Sequence, residues 1–223
     1  MTSPRPAEPR RRPGGLKLLA VLATLLLAGI AAGCSSGDSK DDGASGGTSA
    51  APTTTVPQTV TGTPLVKFTE TEGDPAVGET IPTITGGTLD GEPITIGAED
   101  DKAKVIVFVA HWCPHCQREV PKIVEHLKDT PMPSDVELYA VSTSMNPNAP
   151  NYPPKAWLDK EGWPTPVLSD NDLSAANAYG LSSFPYFVVA DASGKVVIRG
   201  SGELTMDQFD ALVKAAQTGK SPV

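Results

Sequence analysis

VIVFVAHWCPHCQREVP, residues 105–121, runs from an unbroken apolar stretch straight into two cysteines separated by Pro114 and His115. Val105 to Ala110 is too short for a helix and rich in β-branched residues, which predicts a central strand covered on both faces. Val120, Ile123, Val124 and Leu127 then recur at helical spacing, so Gln117 to Leu127 reads as a helix whose first turn holds the cysteine pair. Pro121 falls inside that helix and is expected to kink it rather than end it.

A cysteine at a helix N-terminus faces unpaired backbone N–H groups and the positive end of the helix dipole, both of which favour thiolate over thiol. Cys113 would hold that end. Cys116, one turn deeper, is near enough to close a ring with Cys113 and too shielded to meet a partner first. Those are the two roles of disulfide exchange: one sulfur forms the mixed disulfide, the other resolves it. Such exchange requires residue 113 to open a helix, to be open rather than buried, and to react with alkylating reagents at neutral pH.

The flanking sequence supplies the rest of a domain. Ile81 to Thr85 and Pro93 to Ile96 read as two short strands joined across Gly86-Gly87 and Asp90-Gly91. Val136 to Ser142 is a second buried strand, followed by a Pro- and Asn-rich loop from Asn146 to Pro154. Lys155 to Lys160 is predicted as a short helix, Thr165 to Leu168 as a strand, and Leu173 to Tyr179 as a helix closed by Gly180. Phe187 to Ala190 and Val196 to Arg199 bracket a turn at Asp191 to Gly194, and Thr205 to Gln217 ends the domain as a helix. The implied architecture is α/β, a mixed sheet with a hairpin near its end.

Trp112-Cys113-Pro114-His115-Cys116, within Val105 to Pro121, resembles the active-site segment of thioredoxin-like proteins. Gln117-Arg118-Glu119-Val120-Pro121 is similar to the TlpA and ResA branch of exported, membrane-tethered members. Phe184-Pro185-Tyr186-Phe187-Val188-Val189, followed by Asp191 and Gly194, resembles the family's cis-proline loop and the strand after it. The similarity covers roughly Val77 to Gln217. It implies a thioredoxin-like fold, a central mixed β-sheet flanked by helices, with an extra N-terminal β-hairpin. It further implies Cys113 as nucleophile, Cys116 as resolving thiol, the two forming a redox-active disulfide, and Pro185 as the cis-proline facing them.

Under that resemblance Phe184 presents its backbone to a substrate chain, and Trp112 is a contact beside the nucleophile. Glu119 matches the acid this branch places beside the cysteines, where a partly desolvated carboxyl moves the proton of Cys116. The acid that thioredoxin itself buries in the preceding strand is replaced by Val107. Pro-His between the cysteines is the dipeptide of the strongly oxidising DsbA type, so His115 is expected to stabilise the Cys113 thiolate and make the disulfide an oxidant.

The ends of the chain read differently. Residues 1–33 form a predicted signal peptide: Arg5, Arg10, Arg11, Arg12 and Lys17 are basic, and Leu16 to Ala32 is apolar apart from Lys17 and Thr24. Ala31-Ala32-Gly33-Cys34 resembles a lipobox, which makes Cys34 the lipidation site. The alternatives are free secretion and an uncleaved anchor, which needs about 20 apolar residues where this run is slightly short. Residues 34–64 are predicted as lipidated cysteine and flexible linker, poor in large apolar side chains, and residues 65–223 as the thioredoxin-like domain.

The 223-residue chain carries a net charge of −8. Residues 1–33 hold Arg5, Arg10, Arg11, Arg12, Lys17 and Glu8; without them 13 basic and 25 acidic residues remain, a net −12. That excludes the electrostatics of a nucleic-acid binder, and it makes membrane attachment depend on the lipid.

The expected function is an extracytoplasmic, lipid-tethered, monomeric thiol:disulfide oxidoreductase, without cofactor, that oxidises exported proteins and is reset by a membrane redox partner. One alternative is a reductant serving cytochrome c maturation. Another is a copper- or zinc-carrying lipoprotein, since His111, Cys113, His115 and Cys116 cluster; zinc, however, wants four convergent ligands, and no second Cys or His pair is present. A purely structural Cys113–Cys116 bridge would restrain too little chain to staple a domain.

Overall fold

The computed structural model describes residues 56–98 and 100–223. The predicted signal peptide, Cys34 and most of the predicted linker lie outside the described residues. Twelve elements follow in order among those described: β1 (Thr59–Thr61), β2 (Thr83–Gly87), β3 (Pro93–Ile96), β4 (Ala103–Val109), α1 (Pro114–Asp129), β5 (Val136–Thr143), α2 (Pro154–Glu161), β6 (Val167–Asp170), α3 (Ser174–Ala178), β7 (Tyr186–Ala190), β8 (Val196–Ser201) and α4 (Met206–Thr218).

The strand predicted at Val105 is the middle of a five-stranded sheet ordered β6-β5-β4-β7-β8. β4 runs parallel to β5 and antiparallel to β7, and every residue of it is buried. Period-2 alternation divides its side chains between two cores. Val105, Val107 and Val109 join Val120 and Ile123 of α1, Trp157 and Leu158 of α2, and Phe209 and Leu212 of α4. Ile106 and Phe108 face the other way, onto Ile84, Ile94 and Ile96 of the N-terminal strands and Ala175 and Ala178 of α3. Apart from Lys104 near its start, whose buried ammonium pairs with Asp100 and the Lys102 carbonyl, the strand carries only apolar side chains, as burial on both faces demands, which explains the uninterrupted run from Val105.

Two differences from the sequence-based expectations concern the N-terminal part. The extra hairpin is a three-stranded antiparallel sheet, β1-β2-β3, and β1 comes from residues assigned to the linker. Its three residues pair through the backbone, Val60 opposite Ile84, so composition alone did not reveal them. The second is a buried ion pair that fastens the segment before β2 to the main sheet. Arg199 of β8, fully buried, donates through Nε and Nη2 to Asp74 (2.7 and 2.5 Å) and through Nη1 to the Val66 carbonyl (2.8 Å). Gly180 passes so close that a Cβ there would lie 2.3 Å from the Val66 oxygen. β6 also begins two residues later than predicted, at Val167.

Register brings four chain segments to one edge of the sheet. Val109 pairs with Ser142 and Phe108 with Tyr186, which in turn pairs with Ser201. The segments just beyond those residues, 110–113, 144–153, 184–185 and 202–205, therefore meet where β4 ends and α1 begins. Pro121 lies inside α1 without ending it.

Candidate active site

Cys113 is the N-cap of α1, with extended backbone (φ −76°, ψ 120°) and Pro114 as the first helical residue. Proline suits that position because its missing N–H would have no partner there. The chain is turned into the helix by the Cys113 N–H, which donates to the Ala110 carbonyl (3.0 Å), and the Cys113 carbonyl accepts from Gln117 N–H (3.0 Å). Cys116 follows one turn in. Both are free thiols in this structure.

Cys113 retains 6 % of its surface and Cys116 none. The order of access expected from the sequence is present, but Cys113 is nearly covered, not open. Its position explains this: the residue belongs to the same packed cluster as Val109, Ala110 and Val120, enclosed where the strand-end segments converge. Burial pushes the Cys116 thiol far above its ordinary value, and the charges of Cys113 and Glu119 act in the same direction.

Glu119 is fully buried, although it sits in a helix whose exposed face is charged. Its Oε1 accepts the Leu204 N–H (3.1 Å), and Lys122 Nζ lies 3.5 Å from Oε2, which has no hydrogen-bond partner among the described residues. Burial raises its pKa, against the opposing pull of the Leu204 N–H and Lys122. A buried carboxyl thus enters from the helix, on residue 119, while the strand carries Val107.

His115 departs from its expected place. It projects outward, with Nδ1 2.8 Å from Glu203 Oε1 and 2.9 Å from Arg118 Nη2, and among the described residues it makes no hydrogen bond to either cysteine. A neighbour distant in sequence captured it. Arg118 also donates to Glu203 Oε1 through Nε (2.9 Å) and Nη2 (2.6 Å), and Lys122 donates to Oε2 (2.9 Å). Arg118, Lys122 and His115 together hold the Glu203 carboxyl well below the usual carboxylate range.

The Phe184–Pro185 peptide is cis, as the resemblance implied, and so is Tyr152–Pro153, which the sequence did not suggest. Trp112, 36 % exposed, meets Phe184 edge to face at 5.8 Å and donates through Nε1 to the Ser144 carbonyl (2.7 Å). His111 is a buried strut: Nδ1 lies 2.7 Å from the Pro150 carbonyl and Nε2 accepts the Asn146 N–H (3.1 Å). With both ring nitrogens engaged, His111 is committed to holding loop 144–153. Among the described residues no group of three or more His, Cys, Asp or Glu side chains is arranged to hold a metal ion.

The site brings together Cys113, Cys116, Glu119, Pro185, Trp112 and Phe184, and turns His115 away. Glu203 was missed; its one sequence signal was the Gly-Glu-Leu-Thr run before a helix start, where Thr205 and Gln208 form a capping box.

A family model described as Redoxin matches residues 76–213. The Thiol-disulfide oxidoreductase ResA of Halalkalibacterium halodurans is 29 % identical over 129 residues, 56 % of this chain and 70 % of that protein. A solved thiol:disulfide interchange protein of the thioredoxin family from Chlorobium tepidum superposes with a TM-score of 0.52 at 28 % identity, over 61 % of this chain and 94 % of its own. An uncharacterized conserved protein from Geobacillus kaustophilus superposes at 0.56 with 25 % identity, over 68 % and 87 %.

Proposed function

The chain belongs to the Redoxin family and is a thiol:disulfide oxidoreductase of thioredoxin-like fold, and from that premise we propose that Cys113 and Cys116 are its exchanging pair and exported proteins its substrates. The observation that carries the proposal is the placement of the two sulfurs, one capping α1 and the other buried a turn inside it.

In the oxidising direction a substrate thiolate attacks the Cys113 sulfur of the Cys113–Cys116 disulfide, and Cys116 leaves. A second substrate thiolate then attacks the substrate sulfur of the mixed disulfide and releases Cys113 as thiolate. The substrate dithiol loses two electrons and two protons; the pair gains both electrons, one proton ends on Cys116 and the other, with Cys113 left as thiolate, goes to solvent. Cys116 has no open surface, so the sulfur that a partner meets is Cys113. Cys113 stands at the positive end of the α1 dipole, which favours a negative charge there, although its side chain makes no capping hydrogen bond.

Glu119 serves the other sulfur. A burial-raised carboxyl donates a proton to the leaving Cys116 and takes it back in the reverse direction. Trp112 and Phe184 form the rim on which a substrate segment lies, beside Pro185. The enzyme works outside the cytoplasm, tethered through Cys34, with a membrane redox partner restoring the disulfide.

We take the direction to be oxidising, on the Cys-Pro-His-Cys sequence and the cationic Arg118 near the pair. A reductant is the second reading, favoured by one observation, the capture of His115 by Glu203. Equilibration of the protein with glutathione decides between them. An oxidant poises nearer about −120 mV than about −270 mV, the values for DsbA and thioredoxin; a potential at the lower end would overturn the oxidising direction.

A further inference from the structure

We propose that Glu203 is a positioning residue that holds His115 off the Cys113 sulfur and so keeps the Cys113–Cys116 pair less oxidising than its Cys-Pro-His-Cys sequence would make it. This rests on the exchange reading above. Glu203 is 88 residues from His115 in sequence, and the fold delivers it on the segment between β8 and α4.

That segment is fixed at each step. Gly202, at φ +96°, donates its N–H to the Pro185 carbonyl (2.8 Å), which ties the segment to the cis-proline loop. Leu204 N–H donates to buried Glu119, and Thr205 closes the capping box of α4. Between these ties the Glu203 carboxylate has little freedom, and it points at α1. There it accepts from Arg118 and Lys122 and faces His115 Nδ1, so three potentially cationic groups beside the cysteine turn converge on one anion.

The consequence for the redox pair follows from simple electrostatics. A donor or cation brought to the Cys113 sulfur stabilises the thiolate, hence the reduced form, and makes the disulfide a stronger oxidant. Glu203 works against this by occupying Nδ1 of the His115 imidazole. Nδ1 accepts from Arg118 only as a bare nitrogen and donates to Glu203 only when it carries hydrogen; in both arrangements that nitrogen is turned to the Glu203 cluster.

The test is the equilibrium of the full chain with reduced and oxidised glutathione, for wild type, Glu203→Ala, Glu203→Gln and His115→Ala. Glu203→Gln keeps the side-chain volume should Glu203→Ala fold poorly. Both Glu203 variants are expected to shift the equilibrium toward the dithiol by about three- to tenfold, the worth of roughly one hydrogen bond to the sulfur. His115→Ala alone should change it by less than about twofold, and in that background the Glu203 effect should largely vanish. A merely structural Glu203 would lower the melting temperature and leave the equilibrium in place. An unshifted equilibrium in both Glu203 variants, or an undiminished shift without His115, overturns the proposal while leaving the exchange reading intact. A wild-type protein that exchanges nothing with glutathione takes down both.

Discussion

Cys113 and Cys116 have the same chemistry and only two residues between them, yet different surroundings. Cys113 keeps 6 % of its surface and caps a helix; Cys116 is enclosed and its thiol is pushed up by burial. Of this pair, iodoacetamide at neutral pH should therefore modify only Cys113 in the folded reduced protein, with Cys116 reacting only after denaturation; peptide mapping that finds Cys116 labelled first would contradict the order. Glu119 gives a prediction with a definite sign. Its folded pKa is raised above the unfolded value, so ionising it weakens the fold: the favourable state is complete below about pH 4.3, the ordinary Glu value, and is lost as pH rises through the raised value. Glu119→Gln should thus melt higher than wild type at pH 8, the difference closing toward pH 4. A difference that grows on acidification would refute the burial-dominated environment.

At the scale of elements, the parts written in local pattern were legible. The β4 run, the helical spacing of Val120, Ile123 and Leu127, and the Thr205 to Gln217 helix each follow from a short stretch, and each element formed where its pattern lay. What the sequence did not disclose depends on partners distant along the chain. β1 exists because Val60 finds Ile84, and His115 sits where it does because Glu203 arrives from the end of β8. Glu119 could be read equally as a surface charge until α4's entry segment closed over it. Loop 144–153 is another such case, a Pro- and Asn-rich segment held from outside by His111 and by the Trp112 indole. His111→Ala should accelerate hydrogen exchange at the Asn146 amide at least tenfold, taken as an order-of-magnitude figure for a lost buried hydrogen bond, without affecting amides in the middle of α1. Unchanged protection at Asn146 would remove the strut from the description.

For the whole molecule, the sheet separates two jobs. One face carries α1 and the cysteines; the other carries the N-terminal strands, fastened by the buried Arg199–Asp74 pair. Breaking one partner of such a pair leaves a buried charge alone, at about 3–5 kcal/mol. Asp74→Ala should lower the urea unfolding free energy by that order and leave the glutathione equilibrium of the cysteine pair unchanged; a loss below about 1 kcal/mol would mean the pair behaves as a surface one. Described this way, the fold is a frame that brings four strand-end segments to a single helix start, and the chemistry belongs to the sulfur placed there. The most direct test of that claim is to incubate the Cys116→Ser chain with oxidised glutathione and measure intact mass with peptide mapping. One glutathione bound through Cys113, persisting because no resolving thiol remains, is the predicted result. A protein that stays unmodified at Cys113 while its fold is intact would contradict it.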